Sequence, residues 1–265
     1  MSSFDAQKYW EDRHEATTGL EGVGYLGLKG YNEWMYRLRR RVFHRALRPY
    51  AGTIAGSRVI DVGSGTGFYL DCWSRYRPTE LVGSDFSKVA CDRLEQTRRG
   101  ARIVQLDITS TSPADFDALG QFDYLSVVDV LYHLIDDGAY QQALHNVARL
   151  LRPGGVMVFT ENFLQHRARF ANEWSVAREL TEIEGMLDVA GLSLHQRAPW
   201  FVLMNGPVDS DDRFLRAHWN LVRRVSGRSR LAGNLLGAAE FPAEVLLTKL
   251  FRESPTSEIA IAVRR

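Results

Sequence analysis

Between Ser57 and about Val202, short apolar runs alternate with stretches whose apolar residues recur every three or four positions, and this rhythm constrains the fold more than any other feature. The runs are Arg58–Val62, Leu81–Ser84, Arg102–Leu106, Tyr124–Val128, Val156–Thr160 and Leu192–Arg197. The helical spacing falls on Tyr69–Tyr76, Val89–Arg98, Tyr140–Leu151 and Thr181–Ala190. Strands that alternate with helices form βαβ units, so a mostly parallel sheet covered on both faces is expected. Ligands of such sheets sit beyond the carboxyl ends of the strands, near the point where strand order reverses.

The chain has 265 residues, 45% of them hydrophobic, enough for one large domain with appendages. Its boundaries are expected as an N-terminal helical cap over 1–56, a core over 57–202, a helical insertion or lid over 203–256 and a final core strand in 257–265. Within the first segment a glycine-rich stretch, Gly19 to Gly30, precedes a helix from Tyr31 to Pro49. That helix has Trp34, Leu38 and Val42 on one stripe and Arg37, Arg41 and Arg45 on another. Thirty-three basic residues against 32 acidic ones create no global field for a polyanion, so no nucleic acid is expected as partner. Cys72 and Cys91 have no companions at ligand spacing, which predicts reduced, buried thiols and no metal. A polar start and the lack of any long apolar run predict a cytoplasmic chain with no membrane association.

The first run feeds a loop, Asp61-Val62-Gly63-Ser64-Gly65-Thr66-Gly67, and then a helical pattern. Glycines there allow positive φ and close approach of backbone to a ligand. The G-x-G-x-G spacing departs from the dinucleotide fingerprint, and Asp61 ahead of it would repel a pyrophosphate while suiting a cationic or amine-bearing ligand. The second run ends at Asp85, where a carboxylate can accept both hydroxyls of a ribose. The third ends at Asp107, placed to take an amino group. Tyr25 and Lys29 have the spacing of a dehydrogenase pair but precede the glycine loop, the wrong side for that chemistry.

In this combination the chain resembles the class I S-adenosylmethionine-dependent methyltransferases. Residues 61–67 are similar to the family's acidic glycine loop, Asp85 stands where the family has its ribose-binding acid, and Asp107-Ile108 where it has its adenine contact. Phe122 through His133 resembles the fourth strand and following loop, and Leu150 through Val156 the turn into the fifth strand. The resemblance covers about residues 57–200 and the terminal strand. It implies an α/β fold, a Rossmann-like seven-stranded mostly parallel sheet with an antiparallel last strand, Glu258–Val263, plus a helical cap. It also implies S-adenosyl-L-methionine as cofactor, held by Asp61, Gly63, Ser64, Gly65, Gly67, Asp85, Phe86, Asp107, Ile108, Val128 and Asp129. Trp10 of the cap offers an aromatic face to a sulfonium.

Methyl transfer needs alignment and, for a hydroxyl acceptor, a base. His133 follows the fourth strand by about five residues and is the candidate base, although the same position suits packing or a helix cap. Tyr25, Tyr132, Glu161 and Asn162 are candidate acceptor contacts, with a helix cap the competing role for the last two. The expected activity is O-methylation of a small molecule, a sugar or secondary-metabolite hydroxyl in natural product biosynthesis. N- or C-methylation of a natural product is an alternative. Another is methylation of tRNA, rRNA or protein, with the Arg37–Arg48 helix as docking face. A homodimer stays open, with 203–256 serving as lid or as contact between copies.

Overall fold

The computed structural model describes residues 6–16, 19, 24, 25 and 27–265. Helices α1 (Ala6–Ala16) and α2 (Tyr31–Ala46) and the single turn α3 (Ala51–Ile54) precede the sheet. Then β1 (Arg58–Val62), α4 (Phe68–Ser74), β2 (Glu80–Asp85), α5 (Lys88–Thr97), β3 (Arg102–Gln105), α6 (Pro113–Asp117), β4 (Phe122–Val127), α7 (Asp137–Leu150) and β5 (Leu151–Glu161) alternate. A two-stranded hairpin, β6 (Phe170–Ala171) and β7 (Val176–Ala177), separates β5 from α8 (Leu180–Val189) and β8 (Leu192–Pro199). Helices α9 (Arg213–Ser226) and α10 (Arg230–Leu250) lead to β9 (Glu258–Arg264).

The main sheet has seven strands in the order β3-β2-β1-β4-β5-β9-β8. The pairs from β3 through β5 are parallel, and β9 runs antiparallel to both β5 and β8, as the resemblance implies. Order reverses at β1, whose neighbours β2 and β4 lead to opposite edges, so a crevice opens beyond the carboxyl ends of these strands. Both faces are covered. Val59, Tyr124, Val158 and Ile261 pack with α2, α4 and Trp200, while Ile60, Leu125, Met157 and Ala260 pack with α7 and α8. Side chains of successive strand residues point to opposite faces, which is why unbroken apolar runs are required here.

Three departures from the sequence expectation have local causes. Strand β5 begins at Leu151, ahead of Pro153 and Gly154 (φ +73°), with a register shift against Phe122 and Tyr124. The insertion is two helices broken at Gly227, with Ser229 capping α10 by accepting from the Ala232 amide at 3.1 Å. The hairpin β6–β7 was not foreseen, because two-residue strands carry no period to detect.

Helix α10 closes over α2. Trp34 Nε1 donates to Asn234 at 2.9 Å, the Tyr31 hydroxyl to Glu240 at 2.5 Å, and Arg45 to the Thr248 carbonyl at 2.7 Å. Arg37 stacks on Trp34 of its own helix (4.1 Å) and Arg41 on Phe241 of α10 (5.2 Å); both stay exposed, and of the stripe only Arg45 is bonded to α10. Gly233 and Gly237 let the helices approach, since a Cβ on Gly237 would lie 2.6 Å from the Trp34 ring and one on Gly233 would strike the Lys29 carbonyl. In an exposed helix Gly→Ala stabilises by about 1 kcal/mol. Here the backbone clash outweighs that gain, and Gly233→Ala is expected to destabilise by about 1–3 kcal/mol in urea unfolding.

Candidate active site

The glycine loop leaves β1 with Gly63, Gly65 and Gly67 all at positive φ (+72°, +51° and +82°). At Gly63 a side chain is excluded twice over, by conformation and by Val130 Cγ2 in the space a Cβ would fill. The Ser64 amide donates to the Ser84 carbonyl at 2.8 Å and the Gly67 amide to the Ser64 carbonyl at 2.7 Å, which folds the loop against β2.

Each of the three strand-end acids has a different environment. Asp61 is buried, and its Oδ1 accepts from the Ser126 hydroxyl at 2.5 Å, itself fixed by Trp73 Nε1 at 2.7 Å. Its Oδ2 is buried with no hydrogen-bond partner, and burial pushes its carboxyl up to about 7 against the lowering effect of the serines. Asp85 accepts the Gly65 amide (2.9 Å) and the Ser87 amide (3.0 Å), so its orientation is set by the loop. Asp107 Oδ1 takes both the amide and the hydroxyl of Thr109, at 2.8 and 2.7 Å, which leaves Oδ2 for another donor.

A cavity of about 300 Å³ lies over these strand ends. Gly63, Ser64, Gly65, Asp85, Phe86, Asp107, Ile108, Val128, Asp129, Trp10 and His133 all line it, so most of the sequence candidates converge. Asp61 and Gly67 sit behind the lining, and Tyr36, Phe68 and Tyr69 complete an aromatic end.

Asp129 has φ +59°, a region aspartate visits rarely, and three bonds hold it there. Its amide donates to Thr160 Oγ1 at 2.8 Å, the same hydroxyl donates to Oδ1 at 3.1 Å, and Arg39 pairs with Oδ2 at 2.8 Å. Arg39 is buried, packs over Tyr36 (4.6 Å) and Phe201 (5.4 Å), and has an Nε without a partner. Burial works against its charge, but Asp129 together with the surrounding Tyr36, Tyr69 and Tyr132 outweighs this and holds its pKa above the ordinary value.

His133 Nδ1 lies 2.8 Å from the Trp174 carbonyl, at the tip of the β6–β7 hairpin. A carbonyl only accepts, so Nδ1 carries the proton and Nε2 is the basic nitrogen of the neutral ring. Burial holds its pKa below the usual histidine value, although the Trp174 carbonyl and Asp129 pull the other way. Trp10 meets the ring edge-on at 5.1 Å. Tyr36, Tyr69 and Tyr132 are kept protonated by burial, which leaves His133 as the group on this side suited to accept a proton at neutral pH.

The candidate acceptor contacts do not line the cavity. Tyr132 packs beside His133, with ring centres 4.5 Å apart. Tyr25, 41% exposed, donates to Asn205 at 2.5 Å and meets Trp219 edge-on. Glu161 is wholly buried, where burial pushes its carboxyl up to about 8 beside Tyr140 and Arg178, and it accepts from the Asn162 amide at 3.3 Å. Neither Glu161 nor Asn162 caps a helix: α8 is capped by Glu179. Sequence reasoning missed Arg39. The signal was present, because Arg39 falls on the stripe of Met35, Tyr36, Val42, Phe43 and Ala46, where an arginine has no solvent to face.

A doubly covered parallel sheet with a reversed strand inserted at β9, a glycine loop after β1 and acids at three successive strand ends define the class I S-adenosylmethionine-dependent methyltransferases, whose cofactor is S-adenosylmethionine. Residues 31–198 match the sequence model of a family described as a methyltransferase domain, well over half of the chain, and the chain belongs to that family. Over 111 residues it is 33% identical to the ubiquinone biosynthesis O-methyltransferase of Alkalilimnicola ehrlichii, covering 41% of this chain and 43% of that one. Over 104 residues it is 31% identical to the enzyme of the same name from Pseudomonas aeruginosa, covering 38% and 43%. The chain thus spans less than half the length of these curated relatives. Among solved structures, magnesium protoporphyrin IX methyltransferase from Synechocystis, with S-adenosylmethionine bound, superposes with a TM-score of 0.59 at 15% identity over the full length of both chains. The cyclase SpnF superposes with a TM-score of 0.53 at 17% identity, covering 85% of this chain and 80% of that one. At such identities the likeness shows the fold alone.

The Arg39–Asp129 pair makes a stability prediction. Side-chain exposures of 9% and 18% leave little water to solvate either charge once the other is gone. Arg39→Met is expected to cost about 3 kcal/mol in urea unfolding, and adding Asp129→Asn to recover part of that loss.

Proposed function

We propose that the chain is an S-adenosylmethionine-dependent methyltransferase that acts on a hydroxyl of a small, ring-bearing secondary metabolite. The observation that carries the oxygen acceptor is His133, a neutral histidine on the cavity wall with its basic nitrogen fixed by the Trp174 carbonyl. The aromatic end formed by Trp10, Tyr36, Phe68 and Tyr69 favours a flat apolar acceptor over a sugar. The names of the curated relatives, O-methyltransferases of ubiquinone biosynthesis, point the same way.

The residues present fit the cofactor. Asp85 faces the cavity with its carboxylate held by two amides, suited to a pair of ribose hydroxyls, and Asp107 Oδ2 suits an adenine amino group between Phe86 and Ile108. Asp61 and Arg39, with opposite charges and an unpartnered Oδ2 and Nε, lie buried behind the lining, close enough in sequence to Gly63 and through Asp129 to bias the cavity's field towards a zwitterionic tail. Gly63, Ser64 and Gly65 give the backbone close approach between them. S-adenosylmethionine supplies a methyl already activated on a sulfonium. What falls to this chain is to align the acceptor, exclude water with its aromatic wall, and take the hydroxyl proton on His133 Nε2.

Titration calorimetry with S-adenosylhomocysteine tests the cofactor site. Asp85→Ala should weaken binding roughly ten- to a hundredfold through loss of charged hydrogen bonds. Failure of the native chain to bind at millimolar ligand would end the proposal. With a panel of phenols and catechols, His133→Ala should lower kcat by ~10²–10⁴-fold while leaving cofactor affinity intact. Because the His133 pKa lies below its ordinary value, the base form persists through neutrality. Activity should therefore fall only at pH values under ~6.5, the unperturbed histidine pKa. An unchanged rate in His133→Ala would remove the base.

A further inference from the structure

The outer face of the α9–α10 pair is apolar, and neither helix has an exposed acid between its ends; the exposed Asp211, Asp212 and Glu253 stand just outside them. Leu231, Leu235, Leu246 and Leu250 are 55–70% exposed. Their spacings confine them to about 100° of the helix circumference, at ~100° per residue. Phe214 and Leu221 of α9 add side chains 70% and 54% exposed. The opposite side of α10, with Gly233, Gly237, Glu244 and Thr248, is buried. An uncovered leucine row along a helix of ~30 Å exceeds what a surface needs to stay soluble, and such patches mark contact with a partner or a membrane.

Charge selects the partner. Residues 213–252 hold seven arginines and Lys249 against two acids, whereas the rest of the chain has 25 basic and 30 acidic residues. Both acids face inward. Glu240 accepts from the Tyr31 hydroxyl, and Glu244 from the amides of Val202, Leu203 and Met204. Arg216 pairs with Asp211 and Arg230 with Glu33. The remaining six cations form no ion pair among the described residues. A near-neutral chain has thus gathered unpaired positive charge on the elements that expose its leucines.

We propose that this face docks on an anionic lipid bilayer, with Phe214 and the leucines entering the headgroup boundary and the unpaired arginines meeting lipid phosphates. The helices lie on the surface, since no helix of the described residues is long and apolar enough to cross a membrane. A second copy suits the face less well, because a two-fold contact through the same stripe would bring two arginine sets together with no exposed acid on these helices to meet them. Such docking departs from the composition-based expectation of no membrane association. The proposal is independent of the methyl-transfer reading.

Co-sedimentation of the full chain with phosphatidylcholine vesicles, and with vesicles containing about a third phosphatidylglycerol, tests it. Binding should occur on the anionic vesicles alone and weaken as salt rises. Leu235→Glu with Leu246→Glu should lower vesicle affinity roughly tenfold or more. Arg213→Glu with Arg224→Glu, at two exposed cations on one stripe of α9 beside Phe214 and Leu221, leaves the leucines intact and should do likewise. Affinity for S-adenosylhomocysteine should be unchanged in both variants, and if the leucine variant loses it through misfolding, the arginine variant decides. Equal binding to both vesicle types, or none, overturns the proposal. So does light scattering that shows a dimer made monomeric by the leucine substitutions.

Discussion

The site depends on one buried ion pair. Arg39 comes from α2, Asp129 from the end of β4, and Thr160, which bonds Asp129 twice, from β5. The pair thus joins the helix before the sheet to two strands at the point where strand order reverses, and Phe201 under the guanidinium adds the chain beyond β8. Such a pair contributes little net stability, because desolvating both charges offsets most of their attraction. Its effect is positional. With Asp129 held at positive φ, the following residues turn so that His133 faces the cavity, where the β6–β7 hairpin reaches its Nδ1 through the Trp174 carbonyl.

The fold was legible wherever a period or a backbone requirement had to appear in the residues. Six of the sheet's seven strands and the helices α4, α5, α7 and α8 follow from apolar spacing, whereas the five-residue α6 does not, and Gly63 stands where neither φ nor Val130 would admit a side chain. Asp85 and Asp107 were legible because strand ends in such sheets open on the crevice. The same rule misleads at Glu161, for a reason of parity. Along β5, Val158 faces α2 and Phe159 faces α7, so Thr160 points to Asp129 while Glu161 turns towards Tyr140 and Arg178. One residue of register separates a residue that holds the site from one buried behind it.

Arg39 was not legible by composition, since α2 holds five arginines, and charge alone does not separate them. Arg37 and Arg41 stack on Trp34 of α2 and Phe241 of α10 and stay exposed, and Arg45 bonds Thr248 of α10. Only the position of Arg39 among buried apolar neighbours marks it, and that mark becomes a function once Asp129 is known to lie opposite. Contacts between segments remote in sequence, 39 with 129 or 133 with 174, have no local signature to read.

Net charge conceals the remaining organisation. The value of +1 combines an excess of six positive charges over 213–252 with an excess of five negative charges on the rest of the chain, which includes the sheet-end carboxylates at 61, 85 and 107. The acids suit a cationic cofactor. The basic pair has a different character from a nucleic-acid surface, which places cations along a polar face where phosphates can approach without covering apolar side chains. Here exposed leucines and unpaired arginines are carried by the same two helices. A polyanion would gain from the charge yet leave the leucines in water, whereas a bilayer satisfies both at once. The helices that pack on α2 therefore bring a basic surface of their own, whose exposed leucines decide what it can bind.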